Sequence, residues 1–166
     1  MMTGSMDLLL GEMIAHNAGD PKRIQHLVKV HAFARYIARK EGLAGEELET
    51  LEVAAYVHDI GIRLAEDRYG YSSGKLQEEL GPAAAEALLA RLGFSEDTVS
   101  RAAWLVGHHH TYNHIQGLDY RILVEADFLV NLLEDGTGRD GIQTAWEQIF
   151  RTRTGRELCR VMFGLG

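Results

Sequence analysis

The apolar run Leu51 to Val57 ends in His58-Asp59, and no other feature of the chain constrains its fold as much. Such a run belongs in a core. A charged carboxylate beside it is costly to bury unless something pairs with it. Any fold that buries the run must therefore bring a partner to Asp59. Neutral imidazole and carboxylate are both good ligands for a divalent transition metal. The chain offers more of them at His26, His108, His109 and Asp127.

The rest of the chain is punctuated as helices. Asp20-Pro21 has the form of an N-cap followed by proline in the first helical position. Gly81-Pro82 opens the Ala-rich run Ala83 to Leu92, which Gly93 closes, and Ser95 caps a helix from Glu96 to about Gly107. Further helices are expected at Met6–Asn17, Pro21–Glu41, Glu46–Ile60, Asp119–Glu134 and Ile142–Phe150, with a short one at Gly155–Met162. No segment alternates like a half-buried strand. The expectation is an all-α, single-domain helical bundle of about six to eight helices over residues 6–166, with the motifs between 22 and 133. Met1 to Ser5 is expected to be disordered. The longest irregular stretch, Ala65 to Lys75, has the length of a binding loop or lid, and equally of a solvated loop.

Composition narrows the function classes. A chain of 166 residues can bury a sizeable core as one domain. Its formal net charge of −7 argues against free nucleic acid as a partner. The single cysteine, Cys159, excludes an intrachain disulfide and suits a reducing, cytoplasmic setting. Leu8-Leu9-Leu10 is too short to span a bilayer or form a signal-peptide core, so no membrane partner is expected.

Helical periodicity places several polar residues on apolar stripes. His26 shares one with Val30, Phe33 and Ile37, while His31 lies at the margin of the same arc. Spacing alone does not choose between the two histidines. Asp127 lies among Leu123, Val124, Val130 and Asn131, where an unpaired carboxylate is rarely placed. A buried salt bridge would also satisfy it. His108-His109-His110 follows the apolar run Ala102 to Val106, and histidines also suit helix C-termini. Trp104, Leu105 and Phe128 are expected in the core.

Four segments together resemble the HD-domain superfamily of metal-dependent phosphohydrolases. They are Arg23-Ile-Gln-His26-Leu-Val-Lys-Val30, Ala54-Ala-Tyr-Val-His58-Asp59-Ile-Gly61, Val106-Gly-His-His-His110 and Val124-Glu-Ala-Asp127. Each piece alone is common, but the ordered set H…HD…HH…D is fairly specific. The opening motif, R-x-x-H-x-x-x-V, selects His26 over His31. The resemblance implies His26, His58, Asp59 and Asp127 as ligands of one divalent transition metal per chain: manganese, iron, cobalt, nickel or zinc. It implies His108 and His109 as second-site or phosphate contacts. Two departures stand out. Members with more metals carry a histidine where this chain has Gln77, so a complete second site here would need Glu79 or Glu78 to substitute. A 5′-nucleotidase subgroup carries a glutamate where this chain has Ile62.

The implied function is a phosphohydrolase acting on a nucleotide or other small phosphate ester by attack of a metal-activated water on phosphorus. Asp59 would orient or deprotonate that water, His108 or His109 would hold a phosphate oxygen or protonate the leaving group, and Arg23 would clamp a second oxygen. The alternatives are a catalytically weak protein of the same fold that binds metal and nucleotide as a sensor or scaffold, and a di-iron oxygenase. A homodimer is the default association on base rates.

Overall fold

The computed structural model describes residues 4–166, and among these the chain is all helix, with no strand. There are nine helices: α1 (Met6–His16), α2 (Pro21–Lys40), α3 (Gly45–Val57), α4 (Gly61–Tyr69), α5 (Gly74–Arg91), α6 (Glu96–Val106), α7 (Leu118–Glu134), α8 (Arg139–Gln148) and α9 (Arg153–Met162). Of the segment expected to be disordered, residues 1–3 lie outside the described residues, and Ser5 caps α1 by accepting from the Leu8 amide.

The caps follow from local chemistry. Asp20 Oδ1 accepts from the Arg23 amide at 3.0 Å, with Pro21 opening α2. Ser73, Ser95 and Thr152 do the same for α5, α6 and α9. Each side-chain oxygen satisfies one of the amides that a helix start leaves without a partner.

α2 and α3 pack against each other and against α7, and α6 lies against α3 and α5. Leu27, Val30, Ala34 and Ile37 of α2 meet the fully buried Leu51, Val53, Ala54 and Val57 of α3 and Ile122, Leu123, Val124 and Ala126 of α7 in one core. This core packs around the polar cluster.

Three expectations are corrected. The Ala65–Lys75 stretch is not a long loop. α4 runs to Tyr69 and ends on Gly70 in the left-handed region (φ 78°), so only a short turn precedes α5. The Gly/Ser/Tyr content of residues 69–74 hid a helix whose apolar face, Ile62 and Ala65, is buried by its neighbours. Pro82 does not open α5 but sits inside it, since the Ser73 cap starts the helix earlier. Its ring packs where Gly107 leaves space. Trp104 is not core: it is 40% exposed, stacked under His108 and beside Arg101.

Glycine is required where α4 meets α5. A Cβ on Gly61 would lie 2.9 Å from the Gln77 carbonyl oxygen, and one on Gly81 would lie 2.6 Å from Val106. Just before Gly61 the chain turns from α3 into α4. Hydrogen bonds from the Ile60 amide to Val57 and from the Ile62 amide to Asp59 hold the turn. His58 and Asp59 therefore sit at a helix junction with their side chains in the core. Among the described residues no helix is long and apolar enough to cross a membrane.

Candidate metal centre

Three elements deliver one cluster. α2 contributes His26, the α3–α4 junction contributes His58 and Asp59, and α7 contributes Asp127, all buried. His26 Nε2 lies 3.1 Å from Asp59 Oδ2, 3.1 Å from Asp127 Oδ1 and 3.2 Å from His58 Nε2. His58 Nε2 lies 3.3 Å from Asp59 Oδ2 and 3.4 Å from Asp127 Oδ1. Donors at about 2.0–2.2 Å from a shared ion stand roughly 3 Å apart. Ligand atoms of His26, His58 and Asp59 all lie within 4.8 Å of one another, a spacing that suits a divalent cation, and Asp127 Oδ1 approaches both histidines from α7. Imidazoles with carboxylates suit a transition metal.

The hydrogen bonds fix which nitrogens face inward. His58 Nδ1 donates to the Ala55 carbonyl at 2.7 Å, and His109 Nδ1 to the Val106 carbonyl at 2.7 Å. Both carbonyls lie in the last turn of a helix, where they lack helical partners. His26 Nδ1 donates to Glu134 Oε1 at 2.9 Å. Each Nε2 is thereby left with a lone pair directed at the cluster. Asn131, one turn after Asp127, donates to Asp127 Oδ1 at 3.0 Å and holds it in place.

Without a cation, protons must balance the charge. Burial disfavours a charged His26, yet its contacts with Asp127 and Asp59 outweigh this and raise its pKa to about 9. Burial likewise opposes charge on His58, and Asp59 and Asp127 hold its pKa well above the usual value. Burial works against ionised Asp59, but His58, His109 and His26 keep it well below the carboxylate range. Asp127 is lowered in the same way by His26 and His58, against burial. The cluster is built for two carboxylate anions around positive charge.

The other residues expected at the site are placed unevenly. Arg23 is there: its Nη1 donates to Asp59 Oδ2 at 3.2 Å. His109 is there, fully buried, with Nε2 3.4 Å from Asp59 Oδ1. Among the described residues that nitrogen has no hydrogen-bond partner, so a buried lone pair faces a carboxylate oxygen with nothing between them. That pairing fits a bound cation or a donor such as water. His108 is not there. Its ring stacks on Trp104 at 3.8 Å and its Nδ1 donates to the Trp104 carbonyl, on the outside of α6. Glu79 is also elsewhere, on the exposed face of α5 at 4.0 Å from Lys75. His31 bonds Glu52 at 3.0 Å and stacks on Tyr56, away from the cluster.

His110, rather than His108, joins Asp59 and His109 in a second grouping of ligand atoms. Its Nε2 donates to Gln77 Oε1 at 2.7 Å, and its Nδ1 accepts from the Tyr112 hydroxyl at 3.2 Å. Both ring nitrogens are thus engaged. Burial, with the charge of His109, lowers the His110 pKa to about 4. Glu78 accepts from the His110 amide and the Thr111 hydroxyl, and the Tyr120 hydroxyl reaches the carbonyls of His108 and Thr111. These bonds pin the turn that aims His109 inward.

Sequence reasoning missed Glu134, His110 and Tyr112. Glu134 had one signal: it lies seven residues after Asp127, on the same α7 stripe. His110 belongs to the histidine run, but past the end of α6 no periodicity says which of its members turn inward, and Tyr112 in the same turn had no signal.

The structure is similar to that of a predicted HD superfamily hydrolase from an uncultured Thermotogales bacterium, with TM-score 0.69 and 24% identity over 96% of this chain and 85% of the other. No curated protein gives a significant sequence match. The HD domain family matches residues 23–135, a span that contains all four converging side chains, and the chain belongs to that family.

Proposed function

We propose that this protein is a metal-dependent phosphohydrolase that adds water to phosphorus in a nucleotide or another small phosphate ester. The observation that carries the reading is that His26 Nε2 and His58 Nε2 each lie 3.1–3.4 Å from an oxygen of Asp59 and an oxygen of Asp127, each histidine with its lone pair turned inward. A divalent metal bound there supplies Lewis acidity, lowering the pKa of water and neutralising phosphoryl charge.

The chain's own groups do the rest. Asp59 Oδ2 faces His26, His58 and Arg23, while Oδ1, on the side of His109, orients the attacking water and takes its proton. His109, once protonated at Nε2, donates to a phosphoryl oxygen or to the leaving oxygen. Arg23 holds Asp59 Oδ2 through Nη1 and is partly exposed, which places its guanidinium to reach a phosphate oxygen. The ester P–O bond breaks, the water oxygen bonds to phosphorus, and the alcohol leaves with the proton from His109. Such positioning and charge neutralisation account for most of phosphoryl-transfer catalysis.

One metal per chain is the stoichiometry this reading takes, because His110 spends both ring nitrogens on Gln77 and Tyr112. The test is elemental analysis per chain beside a panel of nucleoside mono-, di- and triphosphates with added manganese. About one metal with turnover is the expected result. Metal and nucleotide binding without turnover would favour the sensor or scaffold. Two irons with oxygen consumption would favour the oxygenase. No metal after reconstitution and no turnover would overturn the proposal.

A further inference from the structure

We infer that Glu134 is the positioning residue for His26, fixing the ring so that its lone pair, rather than a carbon, meets the metal. The inference rests on the metal-centre reading above.

The three inward-facing histidines are oriented in two different ways. His58 and His109 lie just past the ends of α3 and α6, where Ala55 and Val106 offer carbonyls left free by the helix end. Local backbone alone sets their rings. His26 lies inside α2, where neighbouring carbonyls are already used by the helix. It has no such acceptor and must take one from another element. α7 supplies it: Glu134 Oε1 sits 2.9 Å from Nδ1.

The consequence is a grip on both sides of one ring. Asp127 and Glu134, on one stripe of α7, face Nε2 and Nδ1 of His26. A half-turn of the ring would replace both nitrogens by carbons. Glu134 opposes that flip, because its buried carboxylate would lose a donor. Its charge also increases the electron density that Nε2 offers a metal, as carboxylates behind metal-bound histidines do. Glu134 is nearly buried, and the partly exposed Lys29, 3.5 Å from the same oxygen, offsets the cost of burying its charge.

A purely structural Glu134–Lys29 ion pair would predict something different, namely lower stability with unchanged metal affinity. The test measures manganese or zinc affinity by chelator competition, and the Tm of the metal-free form, for wild type, Glu134→Ala and Glu134→Gln. The expected result is a loss of about 10–100-fold in affinity for Glu134→Ala. Glu134→Gln, whose amide oxygen can still accept from Nδ1, should recover part of that loss, with metal-free Tm values close to wild type. Affinity within about twofold of wild type in Glu134→Ala would overturn the inference. So would an equal loss in Glu134→Gln. If wild type itself binds no metal, the metal-centre reading fails first, and that outcome is separate.

Discussion

His26 Nε2 and His58 Nε2 stand 3.2 Å apart in a buried pocket, and in neutral form neither can donate to the other. Their Nδ1 hydrogens are spent on Glu134 and Ala55. Two lone pairs and two carboxylates at this range need positive charge among them, from protons or from a metal.

Protons and metal therefore compete, and the sign is defined. The His26 pKa is raised to about 9 in the metal-free fold, above the value of about 6.5 for the unfolded chain. Its contribution to stability is complete below pH 6.5 or so and is lost as pH rises through about 9. The Tm of chelator-treated protein should fall across that window, and the Tm gained on adding metal should grow across it. A metal-induced gain that shrinks between these pH values would contradict the competition.

Asp59→Ala removes the oxygen that faces both histidines and Arg23. Metal content should drop to background, and turnover with it. His31→Ala is the matched control. That ring is held by Glu52 and Tyr56, so metal content should stay at the wild-type level. Elemental analysis of the two variants side by side decides both, and metal lost from His31→Ala would mean that α2 presents the wrong histidine here.

The neighbouring histidines 108 and 109 should separate cleanly. His109→Ala removes the buried nitrogen opposite Asp59 Oδ1 and should lower turnover by about 100-fold or more while metal remains bound. His108→Ala removes a ring stacked outside α6 and should leave turnover within a few-fold. Steady-state rates at saturating metal give the comparison, and equal losses would show that the turn is arranged differently.

Gly155→Ala tests the docking of α9 on α7. Buried Glu125 accepts from the amides of Arg151 and Thr152 and from the Thr152 hydroxyl. A Cβ at position 155 would fall 1.8 Å from Glu125 Oε1. Overpacking of this kind costs about 1–3 kcal/mol, readable as a lower urea midpoint. Unchanged stability would mean that the carboxylate shifts freely.

What the sequence by itself determined was local. The N-caps at Asp20 and Ser95 depend on side chains reaching amides a few residues away, so they could be read directly. The inward stripes of His26 and Asp127 follow from a period that holds inside any helix. The HD resemblance then joined residues that no spacing rule connects. What only the tertiary structure decided lies beyond a helix end or between helices. Periodicity stops at Gly107, so it could not tell that His109 turns inward while His108 stacks outside. Glu134 matters because α2 and α7 pack at one register, and Pro82 stays inside α5 because Gly107 on a neighbouring segment makes room for it. These choices are set by burial and by unmet hydrogen bonds between distant segments, and no local rule of sequence encodes either.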